Sequence, residues 1–227
     1  MNYKSNVVKK PWGREYLIYE NDEVGLWCLH INENQRTSMH CHPQKTTGLV
    51  VIDGQIELSF LADTKVLEKL DKSMIRRGLF HSSKATSVGG ACIFEIETPK
   101  DKHDLVRLND AYGRESKPYE DESFEEEKNI GTLWLDEPAL HASNAYSFMG
   151  CTLLVETIDD LSVINNKDDN ALLMFLRGGM IRKIDGKSHC VTIPGDVGKA
   201  SIVKQVSSQL DGVISNTLLL TITKDER

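Results

Sequence analysis

Between Glu15 and Glu97 the chain is a succession of apolar runs, each cut off by a turn signal before it could complete a helix of ordinary length: EYLIYEND, VGLWCLHINENQ, TGLVVIDG, QIELSFLAD, MIRRGLFH and ACIFEIETP. Short runs rich in Val, Ile, Leu and aromatics, spaced in this way, predict an all-β unit, an antiparallel barrel or sandwich. The pattern resumes later in CTLLVETI, NALLMFLRGGMIRKIDGKSHCVTIPGD and TLLLTIT. There LMFLRGGMIRKI repeats the order of LVVIDGQIELSF, an apolar strand, a glycine turn and an alternating strand, and VTIPGDVG parallels MIRRGLFH. The chain therefore reads as a first β unit over 1–116, an acidic linker over 117–129 (KPYEDESFEEEKN) and a second β unit over 130–227. Asp53-Gly54 predicts a tight hairpin, since both residues tolerate positive φ. TKVLEKLDK and ASIVKQVSSQL fit strand or helix equally well.

Composition removes several function classes. The 227 residues carry a formal charge of -7 with Lys and Arg dispersed, which speaks against nucleic-acid binding. No run approaches the roughly 18 apolar residues of a membrane span, and MNYKSNVVKKPWG lacks the apolar centre of a signal peptide, so a cytoplasmic protein without membrane association is expected. Cys28, Cys41, Cys92, Cys151 and Cys190 are odd in number and never form a CxxC pair; they read as reduced, mostly buried thiols.

The feature with chemical content is TSMHCHPQK, where His40 and His42 are two apart just upstream of an apolar strand. Residues i and i+2 of a strand face the same way, so both imidazoles can address one point while Cys41 faces away. A third imidazole is available at His81, three residues after Gly78 in IRRGLFH. Three neutral imidazoles suit a divalent metal ion, Zn, Mn, Fe, Co or Ni. His30, His103, His141 and His189 have no such spacing and are expected to be structural or exposed.

HxH, an apolar strand ending in glycine and then GxxH resemble the two signature motifs of the cupin superfamily, here His40 to Gly54 and Arg76 to His81, with Arg76 where that family usually has proline. The flanks KPWGREY (Lys10 to Tyr16) and FEIETPKDKHDLVRLNDAYGR (Phe94 to Arg114) are similar to the segments bracketing the cupin domain of type II mannose-6-phosphate isomerases, including those fused to mannose-1-phosphate guanylyltransferase. In the closing segment Asp104, Val106, Arg107, Asp110, Tyr112, Gly113 and Arg114 fill that family's pattern. The resemblance covers about half of the chain. It implies RmlC-like jelly-roll barrels, a bicupin whose second barrel is degenerate, and a metal held by His40, His42 and His81.

That family's glutamate is expected four or five residues after the second histidine, where Thr46 and Thr47 stand. Gln44 is a candidate to complete the metal shell, and Glu57, Glu95 and Glu97 are others, with at least one of the last two expected to be solvated. Pairing Gly178 with Gly54 and Gly195 with Gly78 puts Ile164, Asn166 and Gly198 at the histidine positions, so the second unit keeps no ligand. The reaction implied by the resemblance is isomerisation of a sugar phosphate in surface-polysaccharide precursor metabolism, with Lys45, Arg76, Arg77 and Arg107 as candidates to bind a small-molecule sugar or its phosphate. An Fe-dependent cupin oxygenase and a non-catalytic sugar or nucleotide-sugar binding module are the alternatives. Exposed sheet edges make a homodimer the expected assembly.

Overall fold

The apolar runs of the first half become strands in the computed structural model of the chain, which describes residues 6–114, 124–125 and 132–225. The chain divides into two units, Met1–Trp134 and Leu135–Arg227. In the first, the strands are β1 (Val7–Lys10), β2 (Gly13–Glu20), β3 (Gly25–Ile31), β4 (Met39–Cys41), β5 (Thr46–Asp53), β6 (Gln55–Phe60), β7 (Thr64–Glu68), β8 (Lys72–Ile75), β9 (His81–Ala85), β10 (Ala91–Thr98), β11 (Val106–Asn109) and β12 (Phe124–Glu125). One sheet has the order β12-β1-β2-β3-β10-β5-β8 and the other β11-β4-β9-β6-β7. Strands β3 to β10 supply β3-β10-β5-β8 to one sheet and β4-β9-β6-β7 to the other, which is the double Greek key of a jelly roll, the architecture of cupin barrels.

This winding corrects the hairpin expected at Asp53-Gly54, because β5 and β6 belong to different sheets. Asp53 keeps a negative φ and only Gly54 is left-handed, at +76°, so the chain turns a corner between sheets instead of reversing within one. Alternation then sorts the faces. Leu49 and Val51 of β5, Trp27, Leu29 and Ile31 of β3 and Ile93 of β10 share one buried cluster with Ile56 and Leu58 of β6. At roughly 1.5–3 kcal/mol per fully buried large apolar side chain, this cluster is what holds the two sheets together. Glu95 and Glu97 continue the Ile93 face and are buried, 8% and 1% exposed, which overturns the expectation that one of them is solvated.

TKVLEKLDK resolves as strand, its Thr64–Glu68 part being β7. Of the acidic stretch 117–129, residues 117–123 and 126–129 lie outside the described residues. Phe124–Glu125 within it pairs with β1, Val8 opposite Phe124, along an otherwise open sheet edge.

The second unit contains β13 (Ser143–Phe148), β14 (Cys151–Ile158), α1 (Leu161–Asn165), β15 (Leu172–Arg177), β16 (Met180–Ile184), β17 (Lys187–Cys190), β18 (Val197–Lys199), α2 (Ala200–Ser207), β19 (Gly212–Val213) and β20 (Thr217–Lys224). Its sheets run β13-β14-β20-β15-β18 and β17-β16-β19. The segment β14-β20-β15-β18 has the winding of β3-β10-β5-β8, and β17-β16-β19 that of β7-β6-β9, so this is a jelly roll with one strand missing. The missing strand is the counterpart of β4, and α1 stands in its place, capped by Asp160, whose side chain accepts from the Ser162 amide. ASIVKQVSSQL is helical over its first part because Ala200, Val203 and Ser207 bury one face of α2.

The register assumed from sequence for the second unit needs one correction. Ile164 and Asn166 do fall in α1 and its cap, but Gly198 lies in β18, the counterpart of β8, whereas His81 begins β9, whose counterpart is β19. Helix α2 is inserted between the two and shifts the spacing. Gly212 and Val213, the two residues of β19, carry no ligand atom.

Candidate metal centre

His40 in β4 lies directly across the ladder from His81, the first residue of β9. His42 follows β4 by one residue on the same side as His40, while Cys41 is buried on the other face. Gly78 closes the third corner: with φ at +72° it sends its amide to the His42 carbonyl at 2.8 Å and returns the chain to His81. The ring centroids of His40 and His81 are 4.4 Å apart, those of His40 and His42 5.0 Å, and those of His42 and His81 5.4 Å. One nitrogen from each ring lies within 4.8 Å of the other two.

Backbone carbonyls set the tautomers. Nδ1 of His40 donates to the Ser38 carbonyl at 2.8 Å, Nδ1 of His42 to the Asp104 carbonyl at 2.7 Å and Nδ1 of His81 to the Leu79 carbonyl at 3.0 Å. Each ring then presents Nε2 as a lone-pair donor, the arrangement that orients metal-binding histidines. Nε2 of His42 is buried and has no hydrogen-bond partner. A buried acceptor left unpaired is costly, and a cation would satisfy it. The site therefore fits a divalent ion, with His40, His42 and His81 as its ligands.

Burial holds all three rings neutral. Burial and then the charges of His81 and His42 keep His40 well below its usual range; burial and then Lys45 bring His42 down to about 2. Burial also lowers His81 to about 4, against the Leu79 carbonyl, which pulls it upward. Between these values and about 6.5 the unfolded chain binds more protons than the folded one, so stability rises with pH across that window. The metal-free protein is expected to be fully stabilised by these groups above about pH 6.5 and to lose stability as the pH falls toward 4. Urea unfolding midpoints of chelator-treated protein should follow that slope, and His81→Asn should flatten it; a midpoint that rises on acidification contradicts it.

No carboxylate joins the three rings among the described residues. Thr47 is buried with its Oγ1 unpartnered, and Gln44 is an exposed residue whose backbone amide donates to Asp104 at 2.9 Å. Glu57 is on the opposite face of β6 from the buried Ile56 and Leu58. Glu97 stands beside Thr47 on the next strand but is occupied: Lys45 Nζ forms an ion pair with Oε2, and Trp27 Nε1 donates to Oε1 at 3.0 Å. Lys45 also donates to the Asp101 carbonyl at 2.8 Å.

His40 and His42 open on a cavity of about 60 Å³, which they share with Lys10, Glu15, Lys45, Glu95, Lys102, Arg107 and Arg114. Of the four cations picked from sequence, Lys45 and Arg107 reach it; Arg76 and Arg77 are exposed and do not line it. Glu95, a candidate from sequence for the metal shell, lines it as well, and Lys10, Glu15, Lys102 and Arg114 supply polar lining that the sequence did not single out. Lys10 and Arg114 were visible in the bracketing segments, but nothing in the spacing alone turned them inward. Lys102 is 3.5 Å from Glu15 and stacks 3.8 Å from the Trp27 ring; burial pulls its ammonium down, but Glu15, Glu97 and Glu95 outweigh that and keep it charged. Burial raises Glu95, against the opposing pull of Lys102 and Lys45. Arg114 is tied to Asp110 by Nε and Nη2, at 2.9 and 2.7 Å.

No family model matches the chain, and no curated protein matches it either. Among solved structures it is similar to KdgF from Halomonas sp. (13% identity, 44% of this chain, 92% of that one, TM-score 0.41). It is also similar to an RmlC-like cupin from Shewanella frigidimarina (14% identity, 42% of this chain, 85% of that one, TM-score 0.39). A third is a cupin-superfamily sugar phosphate isomerase from Silicibacter pomeroyi (11% identity, 41% of this chain, 64% of that one, TM-score 0.38). No helix among the described residues is long and apolar enough to cross a membrane.

Proposed function

We propose that the first unit is a metal-dependent sugar-phosphate isomerase-like barrel, its ion held by Nε2 of His40, His42 and His81. The observation that carries this reading is the convergence of three imidazoles, one with a buried orphan Nε2, beside a cavity that His40 and His42 share with Glu95, a buried carboxyl raised above its usual range. A bound divalent ion supplies polarisation of adjacent carbonyl and hydroxyl oxygens. Glu95 moves the proton between neighbouring carbons, and a carboxyl raised by burial is suited to both taking and returning it. Lys102 and Arg107 hold an anionic group of the substrate, Arg107 through its fork and Lys102 as a charge kept in place by Glu15.

Metal-loaded protein incubated with hexose and pentose phosphates in deuterium oxide is expected to place solvent deuterium beside the carbonyl, seen by proton NMR. His40→Ala with His81→Ala should reduce metal affinity at least about 100-fold and abolish the exchange. A second reading rests on the all-imidazole group found among the described residues: three neutral ligands leave open positions suited to dioxygen and a chelating substrate. Oxygen uptake by the Fe(II)-loaded protein without deuterium exchange selects that oxygenase reading. Sugar binding that survives chelation, with neither reaction, selects a binding module.

A further inference from the structure

Strand β3 carries a second group of ligand atoms on the face opposite Trp27, Leu29 and Ile31. Cys28 and His30 project there, with Cys92 of β10 beside them, and none of the three belongs to the cavity. The Cys28 and Cys92 sulfurs are 3.4 Å apart, Nε2 of His30 is 3.4 Å from the Cys28 sulfur, and all three ligand atoms lie within 4.8 Å of one another. Cys28 is fully buried and Cys92 2% exposed, while His30 is half-buried and gives the group its access. The Tyr16 ring stacks on His30 at 5.7 Å, and its hydroxyl comes within 3.5 Å of Nε2.

We propose that Cys28, Cys92 and His30 form a second, thiolate-rich metal site that takes a zinc(II)-class cation and clamps β3 to β10. The spacing matches the ion. Two sulfurs about 2.3 Å from a tetrahedral zinc lie about 3.8 Å from each other, and a sulfur and an imidazole nitrogen about 3.6 Å, close to the separations found here. Two thiolates with one imidazole are a soft donor set, unlike the all-imidazole set of His40, His42 and His81. Register argues against a direct disulfide. Cys92 sits opposite His30 and Cys28 opposite Phe94, so the cysteines are diagonal neighbours. Diagonal positions are about 7–8 Å apart, beyond the usual disulfide range, whereas a bridging ion spans them. The clamp joins the two strands whose inner faces carry Trp27, Glu95 and Glu97.

Cobalt(II) added to the reduced chain tests this, because sulfur ligation gives a charge-transfer band that imidazole and oxygen ligands do not. The band is expected in the unaltered protein, in His40→Ala/His81→Ala, and not in Cys28→Ser/Cys92→Ser. Its absence from the unaltered chain, or its survival in the double serine variant, overturns the proposal. A second measurement needs no variant: zinc is expected to slow alkylation of Cys28 and Cys92 at least about tenfold, read by peptide mass, while exposed Cys190 reacts equally with and without it. Equal alkylation of all three, or recovery of Cys28 and Cys92 as a disulfide that zinc and reductant do not displace, overturns it.

Discussion

Glu95→Gln is expected to lower the rate of proton exchange at the substrate by about 10²–10⁴-fold while leaving metal content and folding intact, because glutamine keeps the shape of the side chain and cannot carry the proton. The expectation follows from placement. Glu95 continues the inward face of β10 from Ile93, where its carboxyl meets the cavity and burial raises it against Lys102 and Lys45. It is not among the atoms that converge with the histidine nitrogens, so the ion should stay. Single-turnover rates with metal analysis of the same samples separate the two effects. An unchanged rate removes Glu95 from the chemistry, and a loss of metal makes it a ligand.

Lys45→Met is expected to cost about 3–5 kcal/mol of folding stability, the usual penalty for stranding one member of a buried ion pair. The side chains of Lys45 and Glu97 are 1% and 2% exposed, so the charge left behind stays largely desolvated. Trp27 Nε1 would remain as a donor to Glu97 without compensating its charge. Lys45→Met with Glu97→Leu should recover most of the loss, since a buried pair is often worth no more than apolar residues of similar volume. Urea denaturation of the two singles and the double gives the coupling. Additive losses would show that the pair is not a unit.

Much of the fold was legible because its strands are short, apolar and bounded by turns. What sequence did not carry was the pairing of those strands. Asp53-Gly54 has the composition of a hairpin turn, yet β5 and β6 separate into two sheets, because the jelly roll passes from one sheet to the other at that corner. The same crossing turned Glu95 and Glu97 inward, where alternation alone could place them only on a common face. In the second unit the repeat was visible at the glycine corner between β15 and β16, but the insertion of α2 displaced the register of everything after β18.

The site divides in the same way. His40 and His42 declared themselves by period-two spacing, and His81 by the glycine before it, since both signals are local. The Lys45–Glu97 pair joins residues 52 positions apart, and the Glu15–Lys102 contact and the Cys28–Cys92 approach likewise depend on which strands become neighbours. Lys45 was picked as a substrate group for its charge; what spacing could not show is that Glu97 already holds it. Arg76 and Arg77 illustrate the converse, two cations near His81 in sequence whose loop leaves them in solvent.

Crystals soaked in zinc and measured at its absorption edge examine the founding premise without reference to any substrate. An anomalous peak is expected about 2.0–2.1 Å from Nε2 of His40, His42 and His81 together, separate from any at Cys28 and Cys92, with each Nδ1 still donating to its carbonyl. Zinc bound elsewhere while these three rings stay bare, or rings turned to different ions, would contradict a shared metal centre and the chemistry built on it.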